Sequence, residues 1–221
     1  MLFDAATLDM LKVGTLETLY MVSLSSLLAY VIGIPLAIIL VVMDKDGIHP
    51  VPWLQRPLGI IINLIRSIPF IIFLVMMIPL TRIIAGTTLG VKGVIPPLTL
   101  ASAPYVARVV ESSFKEVDSG VIEAAKSMGA STMQIIMKVL LPEAKPSLLV
   151  GAALSITTIL SYSAMSGFVG GGGLGDIAIR YGYNRYETDI MLVTVVILVI
   201  IVQVIQEVAM RLANKSDKRI K

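Results

Sequence analysis

The sequence is poor in charged residues and rich in apolar ones. Asp, Glu, Lys and Arg make up 15% of the 221 residues, whereas hydrophobic residues make up 56%. Since a soluble domain carries about a quarter charged residues, this chain has too little polar surface for a protein surrounded by water. We predict an all-α integral membrane protein that forms a single transmembrane domain over residues 1–221, without an added soluble domain.

Cysteine is absent, and histidine occurs only once, as His49. Without cysteine there is neither a disulfide nor a thiolate metal site, and a lone histidine beside a proline favours a solvated loop residue over a metal ligand. The pattern G-x-x-x-x-G-K-[ST] is also missing, so the chain does not bind ATP through a P-loop. We therefore expect no metal, no cofactor and no enzymatic activity on this chain.

Long apolar runs indicate where the chain crosses a membrane. A helix needs about 20 predominantly apolar residues to span the hydrocarbon core. On this basis the sequence predicts five transmembrane helices, at about 15–42, 58–80, 94–110, 146–165 and 190–208.

The distribution of Lys and Arg predicts the orientation. Five spans place the two ends on opposite sides, and the side with more basic residues includes the C-terminal tail with Arg211, Lys215, Lys218, Arg219 and Lys221. Because cytoplasmic segments carry the excess of positive charge, we expect the N-terminus outside and the C-terminus in the cytoplasm. The net charge of +3 then indicates contact with a lipid bilayer rather than with nucleic acid.

The longest polar-bearing segment between two apolar runs covers about 116–142. Helix-forming residues precede Gly129, which allows a sharp backbone break, and apolar residues with helical spacing follow it. Pro142 is predicted to end the second helix, since proline lacks the amide hydrogen. By itself this pattern predicts helix, bend and helix, and it fits an interfacial hairpin lying on the membrane equally well.

The segment also resembles the cytoplasmic coupling loop of bacterial ABC-importer permeases. That pattern is E-A-A, three residues, G, nine residues, an aliphatic residue, one residue and L-P. It is filled here by Glu123, Ala124, Ala125, Gly129, Val139, Leu141 and Pro142. Valine stands where the family most often has isoleucine. The resemblance implies docking on a separate ATP-hydrolysing subunit, through these residues and their neighbours Ser127, Met128 and Ala130.

Two further stretches are similar to methionine-type ABC permeases. One runs from Arg66 to Arg82 and begins with R-S-I-P, and the other runs from Ser161 to Tyr183. The chain therefore resembles the methionine-type ABC importer permeases, which are inner-membrane components of binding-protein-dependent transport systems with the type I importer fold. The resemblance extends from about Gly14 to the last span.

The resemblance implies a homodimer in the bacterial cytoplasmic membrane that carries methionine, in its L-form and also its D-form, by alternating access. Two cytoplasmic ABC ATPase subunits would bind ATP and Mg, and an extracytoplasmic methionine-binding lipoprotein would deliver the substrate. The residues implied for the gate and translocation path are Arg66, Ser102, Pro104, Ser161 and Met165. The residues implied for contact with the binding protein are Thr87, Thr88, Gly170, Gly171, Gly172, Gly173 and Gly175.

Plainer interpretations remain beside these. Arg66 fits a side chain that snorkels to the headgroups as well as it fits a path residue, and Met165 fits ordinary packing. The glycines at 170–175 match G-x-G-x-x-G, but an apolar span precedes them rather than a strand, which argues against dinucleotide binding. Close backbone packing or a mobile re-entrant turn at the outer mouth explains them better.

Two other functions are open. An ABC importer permease for another amino acid or for a phosphonate would have the same sequence features. A stand-alone secondary transporter is disfavoured, because it would need acidic or histidine relays within the membrane, and spans two to five have none in their central parts.

Overall fold

The computed structural model describes residues 4–216, in which every regular element is helical. The α-helices are α1 (Ala5–Val42), α2 (Pro52–Ser67), α3 (Phe70–Met76), α4 (Ile78–Ala85), α5 (Gly90–Lys115), α6 (Ser119–Ser127), α7 (Thr132–Ile135), α8 (Leu141–Glu143), α9 (Lys145–Met165), α10 (Gly173–Ile177) and α11 (Thr188–Ser216). Wider π-helical turns cover Ile136–Leu140 and Ala178–Tyr183, and a 3-10 turn covers Ser166–Val169. The predicted all-α class is confirmed.

In the described range, four helices are long and apolar enough to cross a membrane, namely α1, α5, α9 (with the 3-10 turn that follows it) and α11. A fifth crossing is present if the bent pair of α2 and α3 counts as one span. The prediction of five spans therefore holds only with this bent pair included.

The predicted second span at 58–80 is wrong as a single helix. α2 ends at Ser67, and α3 begins at Phe70 after a bend of 100°. Pro69 causes the break, because it has no amide hydrogen and disfavours the helical conformation for the residue before it. A second interruption at Met77 separates α3 from α4, so the apolar run becomes three short helices.

α1 begins at Ala5, well before the predicted start at about 15. Asp4 caps its N-terminus, since its Oδ1 accepts a hydrogen bond from the Thr7 amide at 2.8 Å. Leu11 is buried in a cluster with Ile177 and Ile190. This packing explains why the early segment is helical despite its mixed composition.

Two other spans are also longer than predicted, whereas α9 (Lys145–Met165) agrees with the predicted span at 146–165 to within one residue. α5 extends beyond 94–110 at both ends and contains three prolines within a continuous helix, which membrane helices tolerate. α11 continues to Ser216 rather than ending at 208. The last basic residues of the predicted cytoplasmic tail, Lys218, Arg219 and Lys221, lie outside the described residues.

By its internal contacts the chain forms two compact units. The first comprises the residues up to Ala29 together with Ile68–Ser102 and Ile156–Ile205. Its core is a cluster of buried apolar side chains from α1, α3 and α5, namely Met21, Phe70, Leu74, Val94 and Leu98. The ring of Phe70 is also stacked on that of Tyr162, with 4.5 Å between the ring centroids.

The second unit comprises Tyr30–Ser67, Ala103–Ser155 and the residues from Gln206 onward. Its apolar core includes Leu40 and Ile62 from α1 and α2 and Ala107 from α5. This unit carries the whole segment 116–142.

Candidate functional site

α6 begins at a capped N-terminus and ends in a left-handed turn. Asp118 is the N-cap, and Gly129 follows the helix with φ +79°. The Gly129 amide donates to the Lys126 carbonyl (2.9 Å), and the Ala130 amide donates to the Ala125 carbonyl (3.1 Å). This pair of bonds is a Schellman motif, in which glycine is favoured at the left-handed position. The predicted backbone break at Gly129 is confirmed.

The second half of the segment starts at a capping box. Ser131 Oγ accepts from the Gln134 amide (3.4 Å), while Gln134 Oε1 accepts from the Ser131 amide (2.8 Å). α7 then continues through the π-helical turn into α8. The prediction that Pro142 ends the helix is wrong by a short margin, because Pro142 lies within α8, which ends one residue later at Glu143.

The segment has one buried and one exposed apolar face. The buried side chains are Ala125, Ile135, Ile136 and Leu140, and the large exposed ones are Val121, Met128, Met133 and Met137. The single apolar stripe predicted after Gly129 is therefore split, with the isoleucine and leucine inside and the methionines outside. Met128 is 81% exposed and Met133 is 65% exposed. An exposed apolar face outside the spans is typical of an interaction surface.

The residues of the E-A-A motif and their neighbours in this segment differ in exposure. The exposed residues are Glu123, Ala124, Ser127, Met128, Gly129 and Pro142, and the half-buried ones are Ala130, Val139 and Leu141. Ala125 is buried. Its small side chain thus serves packing, while its neighbours in the motif face outward.

The predicted path residues differ in environment. In the first unit, Ser102 is 1% exposed, and its Oγ has no hydrogen-bond partner among the described residues, whereas Met165 is 46% exposed at the end of α9. Ser161 is exposed, and its hydroxyl donates to the Thr157 carbonyl at 3.1 Å. Other buried hydroxyls, among them those of Thr81 and Thr99, also have no partner among the described residues, so this property does not distinguish Ser102.

In the second unit, the Arg66 guanidinium lies 5.7 Å from the centroid of the Tyr105 ring. Tyr105 directly follows the buried Pro104 on α5. Arg66 therefore contacts the part of α5 that carries a second predicted path residue. The cation–π geometry is within the distance at which such pairs attract.

The glycine-rich stretch folds into a loop whose conformation requires glycine. Gly170, Gly172 and Gly173 all have φ above +70°. At Gly175, an added Cβ would collide with the Ala164 carbonyl oxygen, so the backbones approach too closely for any side chain. The expectation of close backbone packing is confirmed, and no nucleotide fingerprint is needed to explain these residues.

The same loop lies beside the predicted threonines. The Gly90 amide donates to the Gly170 carbonyl at 2.9 Å, which joins the loop to the turn that carries Thr87 and Thr88. Both threonines are half-buried, as are Gly170 and Gly172. By contrast, the buried members of the predicted set are Gly171, Gly173 and Gly175. The buried glycines shape the loop, and the half-buried residues form its surface.

Two residues that hold this loop were missed by the sequence analysis. Glu17 Oε2 accepts from the Gly173 amide (2.7 Å), and Thr18 Oγ1 accepts from the Leu174 amide (2.8 Å). Neither residue was predicted to have a site role. The available signal was a carboxylate, Glu17, near the start of the first apolar span, but the sequence did not indicate a partner so distant along the chain.

The turn between α1 and α2 is held by an ion pair. Lys115 Nζ lies 3.0 Å from Asp44 Oδ2. The hydrogen bond from this ammonium group holds the pKa of Asp44 below its ordinary value, although partial burial opposes the shift. Among residues 4–216 there is no group of three or more acidic or histidine side chains that could hold a metal ion.

These features define a class of protein. It is a helical membrane protein with four or five spans, and between two spans it has a bent helical segment that exposes three methionines, Met128, Met133 and Met137, among polar and charged side chains.

Comparison with known proteins identifies the family. The family model of the binding-protein-dependent transport system inner membrane component matches residues 29–221, and the chain belongs to this family. It is 48% identical over 211 residues to a probable D-methionine transport system permease protein MetI of Vibrio cholerae, which covers 96% of this chain and 94% of that one. It is 47% identical over 154 residues to the D-methionine transport system permease protein MetI of Escherichia coli K12, and this match covers 70% of this chain and 71% of that protein.

A solved structure is similar over the whole fold. A chain from inward-facing conformations of the MetNI methionine ABC transporter matches with a TM-score of 0.96 and 43% identity, over 98% of this chain and 100% of that chain. The predicted resemblance to methionine-type ABC importer permeases with the type I importer fold is thus confirmed.

Proposed function

We propose that this chain is the permease subunit of an ATP-driven importer of methionine. The observation that carries the proposal is the exposed, methionine-rich face of the segment at 116–142, on a fold whose relatives are named for D-methionine transport. An adaptable apolar face fits a partner that binds and moves during a cycle, since methionine side chains repack easily. The substrates are L-methionine and D-methionine.

The subunit is one transmembrane domain that works as a homodimer with two cytoplasmic ABC ATPase subunits. ATP and Mg bind to the ATPase subunits, and this chain has no catalytic role. The exposed residues Glu123, Met128 and Gly129 make the docking contact, together with the other residues of the motif. The MetNI methionine ABC transporter, whose permease fold is similar, supports this assembly.

On the outer side, an extracytoplasmic methionine-binding lipoprotein docks on the loop formed by Thr87, Thr88 and the glycines at 170–175. The N-terminus lies outside and the C-terminus lies in the cytoplasm of a bacterial cell. The gate and path residues are Arg66, Ser102, Pro104, Ser161 and Met165.

The mechanism is alternating access. ATP closes the ATPase pair, the coupling segments move with it, and the spans open outward to receive methionine. A ligand shifts such an equilibrium only through its different affinities for the two states. ATP and the loaded binding protein both favour the outward-open state, and hydrolysis returns the inward-open one.

The test is uptake of labelled methionine into proteoliposomes that contain this chain, its ATPase subunit and the external binding protein. We expect uptake that needs both ATP and the binding protein, and competition by both isomers of methionine. Uptake by this chain alone would refute the importer. Hydrolysis stimulated by the binding protein, without methionine uptake, would retain the importer and refute the substrate.

A test variant replaces the exposed Met133 by glutamate. A separate control replaces Met191, in α11, by leucine and leaves the segment at 116–142 unchanged. We expect the first change to abolish ATPase docking while the protein still inserts into the membrane. The second should leave docking and uptake intact.

A further inference from the structure

The cytoplasmic end of α5 carries a buried charge cluster that the proposed function does not yet use. Glu111 is 4% exposed. Its Oε2 lies 2.6 Å from Arg108 Nη1, and its Oε1 lies 2.9 Å from Lys115 Nζ. Each carboxylate oxygen thus has its own cation, and the burial of the negative charge is compensated within one helix face.

The cluster extends beyond α5 in two directions. Arg108 Nη2 donates to the Gly59 carbonyl of α2 at 2.9 Å, and Lys115 pairs with Asp44 in the turn between α1 and α2 at 3.0 Å. At Gly59 an added Cβ would lie only 3.2 Å from the guanidinium nitrogen. The guanidinium group therefore lies directly against the backbone of α2.

The turn at 43–51 is itself compact. The Gly47 amide donates to the Asp44 carbonyl, and the His49 amide donates to the Val42 carbonyl, both at 2.9 Å. A Cβ at Gly47 would lie 2.6 Å from the Val42 carbonyl oxygen, so the turn has no room for a side chain there. The end of α1 and the start of α2 are therefore joined by a tightly folded connection rather than by a loose loop.

The coupling segment touches this turn directly. Lys126, in α6, donates from Nζ to the Gly47 carbonyl at 3.4 Å. The turn is thus contacted by α6 through Lys126 and by α5 through Lys115. The mechanism proposed above assigns no role to either lysine.

We propose that the turn at 43–51 and the ion pairs of Asp44, Arg108, Glu111 and Lys115 form a brace that passes the motion of the coupling segment to α1 and α2. The brace transmits this motion in addition to the covalent connection between α5 and α6, and its ion pairs stay formed through the transport cycle. Separating Glu111 from its cations would leave a buried charge without compensation, which is strongly unfavourable. Asp44, Lys115 and Lys126 are therefore positioning residues. This inference rests on the proposed function.

The chain has no cysteine, so an introduced pair provides the only thiols on it. The test variant is Asp44→Cys with Lys115→Cys, which opens the outer end of the brace and leaves Arg108 as the one remaining cation on Glu111. A companion variant, Asp44→Asn, opens only the pair of Asp44 with Lys115 and keeps both cations on Glu111, so it should lower the number of methionine molecules imported per ATP without leaving part of a buried charge uncompensated. The control is Glu207→Cys with Arg211→Cys, since these residues also form an ion pair, which is exposed on α11 and lies outside the brace. Both cysteine variants are reconstituted as the full complex and treated with a bifunctional methanethiosulfonate reagent.

The measured quantity is the number of methionine molecules imported per ATP hydrolysed. We expect this ratio to fall by about fivefold in the reduced Asp44/Lys115 variant, the lower end of typical coupling between sites, and to recover after cross-linking. The control pair should leave the ratio unchanged. A purely structural role would lower the amount of assembled complex and leave the ratio as it is.

Three results separate the hypotheses. An unchanged ratio in the reduced variant, or a loss of uptake on cross-linking, refutes the brace alone. Failure of the native complex to import methionine with ATP and the binding protein refutes the proposed function, and the brace with it. A second variant, Lys126→Met, should also lower the ratio, and a native ratio there would remove the coupling segment from the brace.

Discussion

Replacing Gly129 by alanine adds one methyl group at a position where the structure isolates a single energetic effect. Nothing lies within 4 Å of the Cβ position, so the change causes no collision. The cost comes from φ at +79°, which an L-residue with a Cβ adopts at roughly 1–2 kcal/mol. Alanine also restricts the unfolded chain, which offsets about 0.4–1 kcal/mol. The net penalty is about 1 kcal/mol, or about fivefold in an equilibrium constant.

If the left-handed turn is part of the docking geometry, this penalty appears as weaker assembly with the ATPase subunit. The assay titrates the ATPase subunit against the reconstituted permease and reads the concentration that gives half-maximal uptake. Alanine should raise that concentration by about fivefold. Asparagine tolerates the left-handed region and should have a smaller effect. Proline fixes φ near −65° and removes the bond to Lys126, so it should abolish docking.

Gly120 offers the matched control, because it lies in the first turn of α6 without a positive φ. An added Cβ at Gly120 would lie 2.9 Å from Asp118 Oδ1, so the N-cap side chain must shift slightly. Because alanine favours a helix, Gly120→Ala should still leave docking close to that of the native protein. Equal half-maximal concentrations for glycine, alanine and asparagine at position 129 would refute the reasoning. The Schellman turn would then be a feature of the free segment with no part in docking.

Three further changes test other contacts. Glu17→Gln should lower the stability of the glycine-rich loop at 170–175 by about 1 kcal/mol, because the hydrogen bond from the Gly173 amide to a charged acceptor becomes one to a neutral acceptor. Thermal melting of the purified protein measures this change, and an unchanged melting temperature would contradict it. Gly175→Ala should cost about 1–3 kcal/mol through overpacking, seen in the same melting assay. The pair of Asp44 and Lys115 stabilises the fold above the unfolded pKa of the carboxyl group, and that contribution is lost as the pH falls through its lowered folded pKa, below about 4. The melting temperature of Asp44→Asn should therefore show a weaker decline in that acid range than that of the native protein.

The coupling segment is the part most accessible from sequence. Glycine is the residue that adopts a left-handed turn at least cost, so the position of Gly129 between two helical patterns is enough to predict the bend. The division of the stripe that follows it is not accessible in this way, because methionine and isoleucine are both apolar at helical spacing. Only packing decides that Ile136 is buried and that Met137 is 56% exposed.

The broken second span shows where apolar length misled the prediction. The residues from 58 to 80 are apolar enough for one helix, and hydropathy does not register that Ser67, Ile68 and Pro69 bend the chain by 100°. The local signal was present, since the residue before a proline is disfavoured in a helix. It was outweighed by the continuity of the apolar run.

The contacts that position the sites join residues far apart in sequence. Glu17 and Gly173 are 156 residues apart, and Arg108 and Gly59 are 49 apart. A single sequence contains no signal for either pair. The spacing of Arg108, Glu111 and Lys115 puts them on one helix face, but it contains no information about their partners outside α5.

The segment at 116–142 has two faces of different composition, one that packs against the rest of the chain and one that is exposed. The buried face uses Ile135, Ile136 and Leu140, whose packing fixes the segment to its own subunit. The exposed face carries methionines, whose side chains would repack with little loss against the moving ATPase subunit of the proposed function. If docking depends on this adaptability, Met137→Leu and Met137→Ile should both preserve uptake, whereas dependence on a rigid shape predicts that Met137→Ile weakens it. A loss of uptake in both variants comparable to that of Met137→Ser would contradict this division.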